Sequence, residues 1–132
     1  MLESQQRRDL VSYRIEKAYK SFEEAKGVAR LKYWNLTGNR LYYTAFHMAS
    51  ALLLDKGFSA KTHAGVIHLI GEKFIATGLL YRAYGRLFSR LYELRQSGDY
   101  DDTYDATEEE VVPYFEKVEQ FVKDMESLIT HK

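Results

Sequence analysis

Arg40 and His47 stand seven residues apart in the segment Asn39-Arg-Leu-Tyr-Tyr-Thr-Ala-Phe-His47. On a helix that spacing is nearly two turns, so both side chains face one way, about 10 Å apart along the axis. An imidazole can act as general base or general acid near neutral pH. A guanidinium beside it can hold a phosphate and offset the charge that develops on it. The pair therefore suits chemistry at a phosphodiester. His47 also lies in the most apolar stretch of the chain, where a buried structural histidine held by a hydroxyl or carbonyl is the alternative reading.

A second group of residues is Arg95-Gln-Ser-Gly-Asp-Tyr100. Arg95, Asp99 and Tyr100 fall at a predicted helix end. A phenol with a pKa of about 10 is a poor base at neutral pH, but it can donate to a phosphate or stack on a nucleobase. These three residues therefore suit binding better than cleavage; the alternative is an Arg95–Asp99 ion pair that only fixes the connector. Tyrosine is abundant, with eleven residues, and Tyr42, Tyr43, Tyr92, Tyr100 and Tyr104 lie in or near these segments. Most are expected in the core or an interface, with one or two, Tyr43 among them, lining a nucleotide pocket beside Arg40 or Arg95. His63 and His68 are five apart and point different ways, whereas metal ligands on a helix prefer spacings of three or four. No glycine-rich phosphate loop or nucleophile elbow is present, and neither a metal site nor a cofactor is expected.

Helical periodicity runs through nearly the whole chain. The spacing predicts a first helix from about Glu3 to Tyr33, with Leu10, Tyr13, Ile15, Ala18, Tyr19, Phe22, Ala25 and Ala29 as its apolar positions. Asn35-Leu-Thr-Gly-Asn39 reads as a turn. A second helix follows to about Lys56, uncharged from Leu41 to Leu54 and so buried around most of its circumference. Gly57 suits the left-handed position after it. Thr62 is a candidate N-cap for a third helix ending near Ala76, closed by Gly78. A fourth helix is predicted from about Leu80 to Gln96, with Arg82, Arg86 and Arg90 along one face and Gly98 ending it. Thr107 and Glu110 form a capping box for the last helix, whose first two turns tolerate Pro113. The expected architecture is all-α: an antiparallel up-and-down bundle of four to five helices, a single domain over residues 1–132.

The composition narrows the functional classes. Hydrophobic residues make up 45% of the 132 residues, enough for a packed core and too many for a disordered chain. Cysteine is absent, which excludes disulfides and thiolate metal sites and favours a reducing, cytoplasmic location. No signal-peptide or membrane-spanning stretch is evident. The net charge of zero is unevenly spread. Residues 1–98 hold 16 Lys/Arg and 8 Asp/Glu, whereas residues 99–132 hold 3 and 11. Two halves that neutralise each other across the bundle, or a basic surface for a polyanion guarded by an acidic segment, would both give this pattern.

Residues 39–57 and Leu91-Tyr-Glu-Leu-Arg-Gln-Ser-Gly-Asp-Tyr-Asp-Asp102, with Lys61-Thr-His63 between them, together resemble the HEPN domain (higher eukaryotes and prokaryotes nucleotide-binding) of the small stand-alone prokaryotic type. The resemblance covers essentially the whole chain. It implies a helical bundle that forms homodimers, commonly beside a minimal nucleotidyltransferase in toxin–antitoxin-like pairs, with nucleotide or RNA as ligand. Many members are metal-independent ribonucleases with an Arg-x(4–6)-His motif, which Arg40 and His47 satisfy and which would make them the catalytic pair. In ribonuclease members the motif often follows a late helix. Here that segment offers Arg95 but has Tyr100 in the place of the histidine, which implies binding at Arg95, Asp99, Tyr100 and Tyr43 without efficient cleavage. A purely structural helical dimer is the remaining reading.

Overall fold

The uncharged stretch Leu41 to Leu54 becomes the centre of the molecule. In the computed structural model, which describes residues 4–100 and 103–130, with residues 98–100 by backbone alone, it lies within α2 (Trp34–Asp55). Leu41, Tyr42, Ala45, Met48, Ala49 and Leu52 are all fully buried, because this helix is wrapped by α1 (Ser4–Arg30), α3 (His63–Ile70), α4 (Ala83–Tyr100), the short α5 (Glu108–Val111) and α6 (Pro113–Ser127). No strand occurs among the described residues. The architecture is an antiparallel helical bundle.

The pairing of α1 with α2 is legible in a ladder of polar contacts along their seam. Arg7 Nη1 donates to the Leu54 carbonyl at 2.8 Å, Arg14 Nη1 to the Ser50 carbonyl at 3.3 Å, and Arg40 Nη1 meets Glu24 Oε1 at 3.1 Å. Rising numbers on one helix match falling numbers on the other, which defines antiparallel packing. Beneath the ladder α1 buries Val11, Ala18, Phe22 and Ala25. Tyr13 and Tyr19, read from spacing as inward, point outward instead: Lys17 stands over the Tyr13 ring, and the Tyr19 hydroxyl donates to Glu126.

The first turn falls earlier than its composition suggests. Residues 31–33 reverse the chain, with Lys32 in the left-handed region at φ 63°, and Asn35 to Asn39 are already helical. Tertiary partners use the turn-forming residues differently. Asn35 Oδ1 accepts from the Ala106 amide at 2.8 Å, tying the connector before α5 to α2. The Thr37 hydroxyl bonds back to the Tyr33 carbonyl. Gly38 sits under Leu94, where a Cβ would approach that side chain to 3.1 Å; it serves close approach of α2 and α4 rather than a bend.

Thr62 caps α3 by accepting from the Gly65 amide at 2.9 Å, and the helix widens into a π-helical turn over Gly71–Ile75. Gly57 and Gly78 take φ of 82° and 83°, as helix-closing glycines do. Helix α4 begins at Ala83 and runs through Gly98 to Tyr100. A lone glycine inside a helix costs only about 1 kcal/mol relative to alanine, too little to stop it. The capping box of Thr107 and Glu110 forms in both directions. The expected last helix is split, however: α5 ends at Val111 and α6 restarts with Pro113 in its first turn. The missing proline N–H and the ring's clash with the carbonyl four residues back interrupt the ladder. At the far end of α2, buried Asp55 accepts from the Thr130 amide at 3.0 Å and from its hydroxyl at 3.2 Å, pinning the segment after α6. Among the described residues no helix is long and apolar enough to cross a membrane.

Candidate functional site

Tyr43 is the point on which the basic residues converge. Helical spacing puts Arg40 three residues before it and His47 four after it, on the same face of α2. The Arg40 guanidinium lies 5.1 Å from the centre of the Tyr43 ring, and the His47 ring centre is 5.7 Å away. From the other side, near the end of α4, Arg95 donates from Nη2 to the Tyr43 hydroxyl at 3.1 Å, with its guanidinium 5.6 Å from the ring centre. The close approach of the two helices at Gly38 and Leu94 is what brings Arg95 within reach.

The arginines are held differently. Arg40 is ion-paired to Glu24 at 3.1 Å and donates from Nε and Nη2 to Asn39 Oδ1 at 2.9 and 2.8 Å, so one neighbouring carboxylate already offsets its charge. Arg95 is half-buried against Tyr43. Asp99 and Tyr100, the other two residues expected in this site, continue the helical backbone of α4, but their side chains lie outside the described residues.

His47 is half-buried, and among the described residues neither of its ring nitrogens has a hydrogen-bond partner. Among the described residues no hydroxyl or carbonyl holds the ring as one would hold a structural histidine. Burial first, then the charges of Lys17, Arg40 and Arg14, hold its pKa down to about 4, with Glu24 opposing weakly. The imidazole is neutral at pH 7 and can accept a proton; it is not charged in advance to donate one.

These cations are concentrated where the two long helices meet. Arg14 and Lys17 of α1 face the His47 region beside Arg40, and the ion pairs seen among the described residues all stay within the basic stretch or within the acidic stretch of the chain.

A sequence model of the HEPN domain matches residues 11–128. The chain belongs to the HEPN family. A UPF0332 protein of Thermotoga maritima is 32% identical over 120 residues, 91% of each chain. The candidate toxin MJ0605 of Methanocaldococcus jannaschii is 37% identical over 115 residues, 87% of this chain and 85% of that one. A UPF0332 protein of Archaeoglobus fulgidus is 31% identical over 121 residues, 92% and 96% of the two chains.

In this HEPN chain the structure brings further aromatic residues to the site. His63, given no place among the expected site residues, lies against the site: its Nδ1 is 2.7 Å from the Tyr42 hydroxyl and its ring stacks on Phe46 at 4.4 Å. Tyr92 completes the aromatic group, 5.6 Å from Tyr42. The Thr62 cap, which fixes His63 at the first position of α3, was the available signal. His68 points elsewhere and pairs with Glu72 at 2.9 Å. Among the described residues no group of three or more His, Asp or Glu side chains could hold a metal ion.

Proposed function

We propose that this chain is a HEPN module that binds a nucleotide or RNA through its phosphate, with Arg95, Tyr43 and Arg40 as the contacting groups and Asp99 and Tyr100 beside them at the end of α4. The observation that carries this reading is the convergence of two arginines from different helices on one tyrosine. A guanidinium holds phosphate oxygens in its planar fork and keeps its charge at any relevant pH, and a phenol hydroxyl adds a neutral donor between them. The family, and the relatives named as candidate toxins, support a place in a toxin–antitoxin-like pair: a cytoplasmic homodimer that works beside a minimal nucleotidyltransferase.

Binding of a labelled RNA, followed by anisotropy against salt, tests the reading. Affinity should fall as salt rises, because released counterions drive the association, and Arg95→Ala should weaken it while the circular dichroism of the bundle is unchanged. Binding that ignores both salt and Arg95 would refute it.

A second reading has its own support. His47 is neutral, has no hydrogen-bond partner among the described residues and lies on the same helix face as Arg40. It could take the proton of a 2′-hydroxyl as that oxygen bonds to phosphorus, with Arg40 offsetting the phosphorane charge until the P–O5′ bond breaks and the 5′-oxygen leaves with a proton from the imidazolium so formed, making the chain a metal-independent endoribonuclease. RNA cleavage that survives a chelator and disappears in His47→Ala, with binding retained, would establish it. Tyr100 in the late-helix segment favours binding without efficient cleavage.

A further inference from the structure

Next to the Arg95–Tyr43 pair lies a ring that neither arginine segment supplies. Thr62 sets His63 at the start of α3 by capping the helix at Gly65. The Tyr42 hydroxyl lies 2.7 Å from His63 Nδ1. Tyr42 is itself fully buried, and burial, foremost, pushes its phenol well above the ordinary value, so it keeps its proton. One face of the imidazole covers Phe46, with ring centres 4.4 Å apart and planes 17° from parallel. Tyr43 meets the imidazole edge-on at 5.9 Å, and Tyr92 lies at 6.3 Å and 30°. Tyr42 is sealed and its ring also stacks on the imidazole, at 5.7 Å and 24°, but Tyr43, Phe46, His63 and Tyr92 all keep partial exposure. Burial and then the Arg95 charge hold the His63 pKa below its ordinary value, so the ring is neutral at pH 7.

We infer that His63, backed by Phe46 and held by Tyr42, is a nucleobase-stacking platform, and that the site therefore takes a single-stranded nucleotide unit, with the base on the imidazole and the phosphate on Arg95 and the Tyr43 hydroxyl. The inference rests on the phosphate-binding reading above and adds the class of ligand. Neutral aromatic rings, histidine included, accept any base on their π-face, and unpaired bases are the ones that can be splayed onto a protein. A duplex, with its bases stacked on one another, has no free base face to offer. A ring in a simple core would have no need to be both orientated by a buried hydroxyl and left partly open beside an arginine. Stacking of this kind contributes about fivefold to a hundredfold in affinity per base.

The full chain is titrated with four probes: inorganic phosphate, single-stranded oligoadenylate, the same oligomer paired to oligouridylate, and an abasic oligomer of equal length. Wild-type protein should bind oligoadenylate at least about tenfold more tightly than the abasic or paired forms. His63→Ala should lose that margin while its affinity for phosphate and the abasic oligomer stays the same. His63→Phe, which keeps a ring but no Nδ1, should retain most of the margin. Equal affinity of the wild type for oligoadenylate and the abasic oligomer would overturn the platform alone, whether or not His63→Ala folds. So would a folded His63→Phe as weak as His63→Ala. Wild-type protein that binds none of the four probes would instead overturn the phosphate reading on which the platform stands.

Discussion

Arg95 reaches Tyr43 twice, through a hydrogen bond from Nη2 to the hydroxyl at 3.1 Å and through its charge, 5.6 Å from the centre of the same ring. The arrangement gives one side chain two separable roles, since the ring and the hydroxyl can be removed one at a time. Tyr43→Phe should keep Arg95 over the ring and weaken RNA binding by a few fold. Arg95→Ala should weaken it about tenfold or more, the size of a lost charge-assisted hydrogen bond. Arg95→Lys should recover only part of that, because an ammonium lacks the planar fork. Anisotropy titrations of the three variants at one salt concentration decide the order.

His47 makes the fold sensitive to acid. Its pKa is about 4 in the folded chain, against an ordinary value of 6.5. Between those values the unfolded chain binds a proton that the folded chain refuses. Stability is thus full above pH 6.5 and declines as pH falls toward 4, below which this contribution levels off. With the ring only half-buried, solvent screening reduces the effect to about 1–2 kcal/mol. Urea midpoints at pH 7 and pH 4.5 should separate less for His47→Gln than for the wild type, and an NMR titration should show the imidazole still neutral at pH 5.

Gly38 sets the distance between α2 and α4. Its missing Cβ would meet Leu94 at 3.1 Å, and Leu94 precedes Arg95 in the chain. Gly38→Val should destabilise the bundle by about 1–3 kcal/mol through overpacking and should weaken RNA binding as well. Urea unfolding and RNA titration of the same protein test both halves. A variant as stable and as tight as the wild type would show that the approach of the helices is not what positions Arg95.

Asp55 is 5% exposed and receives both the Thr130 amide and its hydroxyl. Asp55→Ala leaves the Thr130 amide and hydroxyl without their acceptor, and should lower stability by about 1–3 kcal/mol with no effect on the Arg95–Tyr43 site, about three turns back along α2. Thermal melts, set beside RNA affinity, would show the separation.

The assembly is tested by mass. Light scattering at micromolar concentration should give twice the 15.5 kDa of one chain; a value of 15.5 kDa would remove the homodimer from the proposal.

Local chemistry in the sequence determined the helical class, the burial of the stretch from Leu41 to Leu54, the caps at Thr62 and Thr107, and the left-handed closures at Gly57 and Gly78, because periodicity, capping and φ preference act within a few residues. It also put Arg40 and His47 on one face, a consequence of helical pitch alone. Two features depended on contacts between distant segments. Asn35 to Asn39 looks like a turn and became helix, since Asn35 found Ala106 and Gly38 found Leu94. Arg95 came to Tyr43, and His63 to Tyr42 and Phe46, because α2 packs against both α3 and α4. Spacing along one chain says which side chains share a helix face; only the packing of helices says which faces meet, and the candidate site is made where they do.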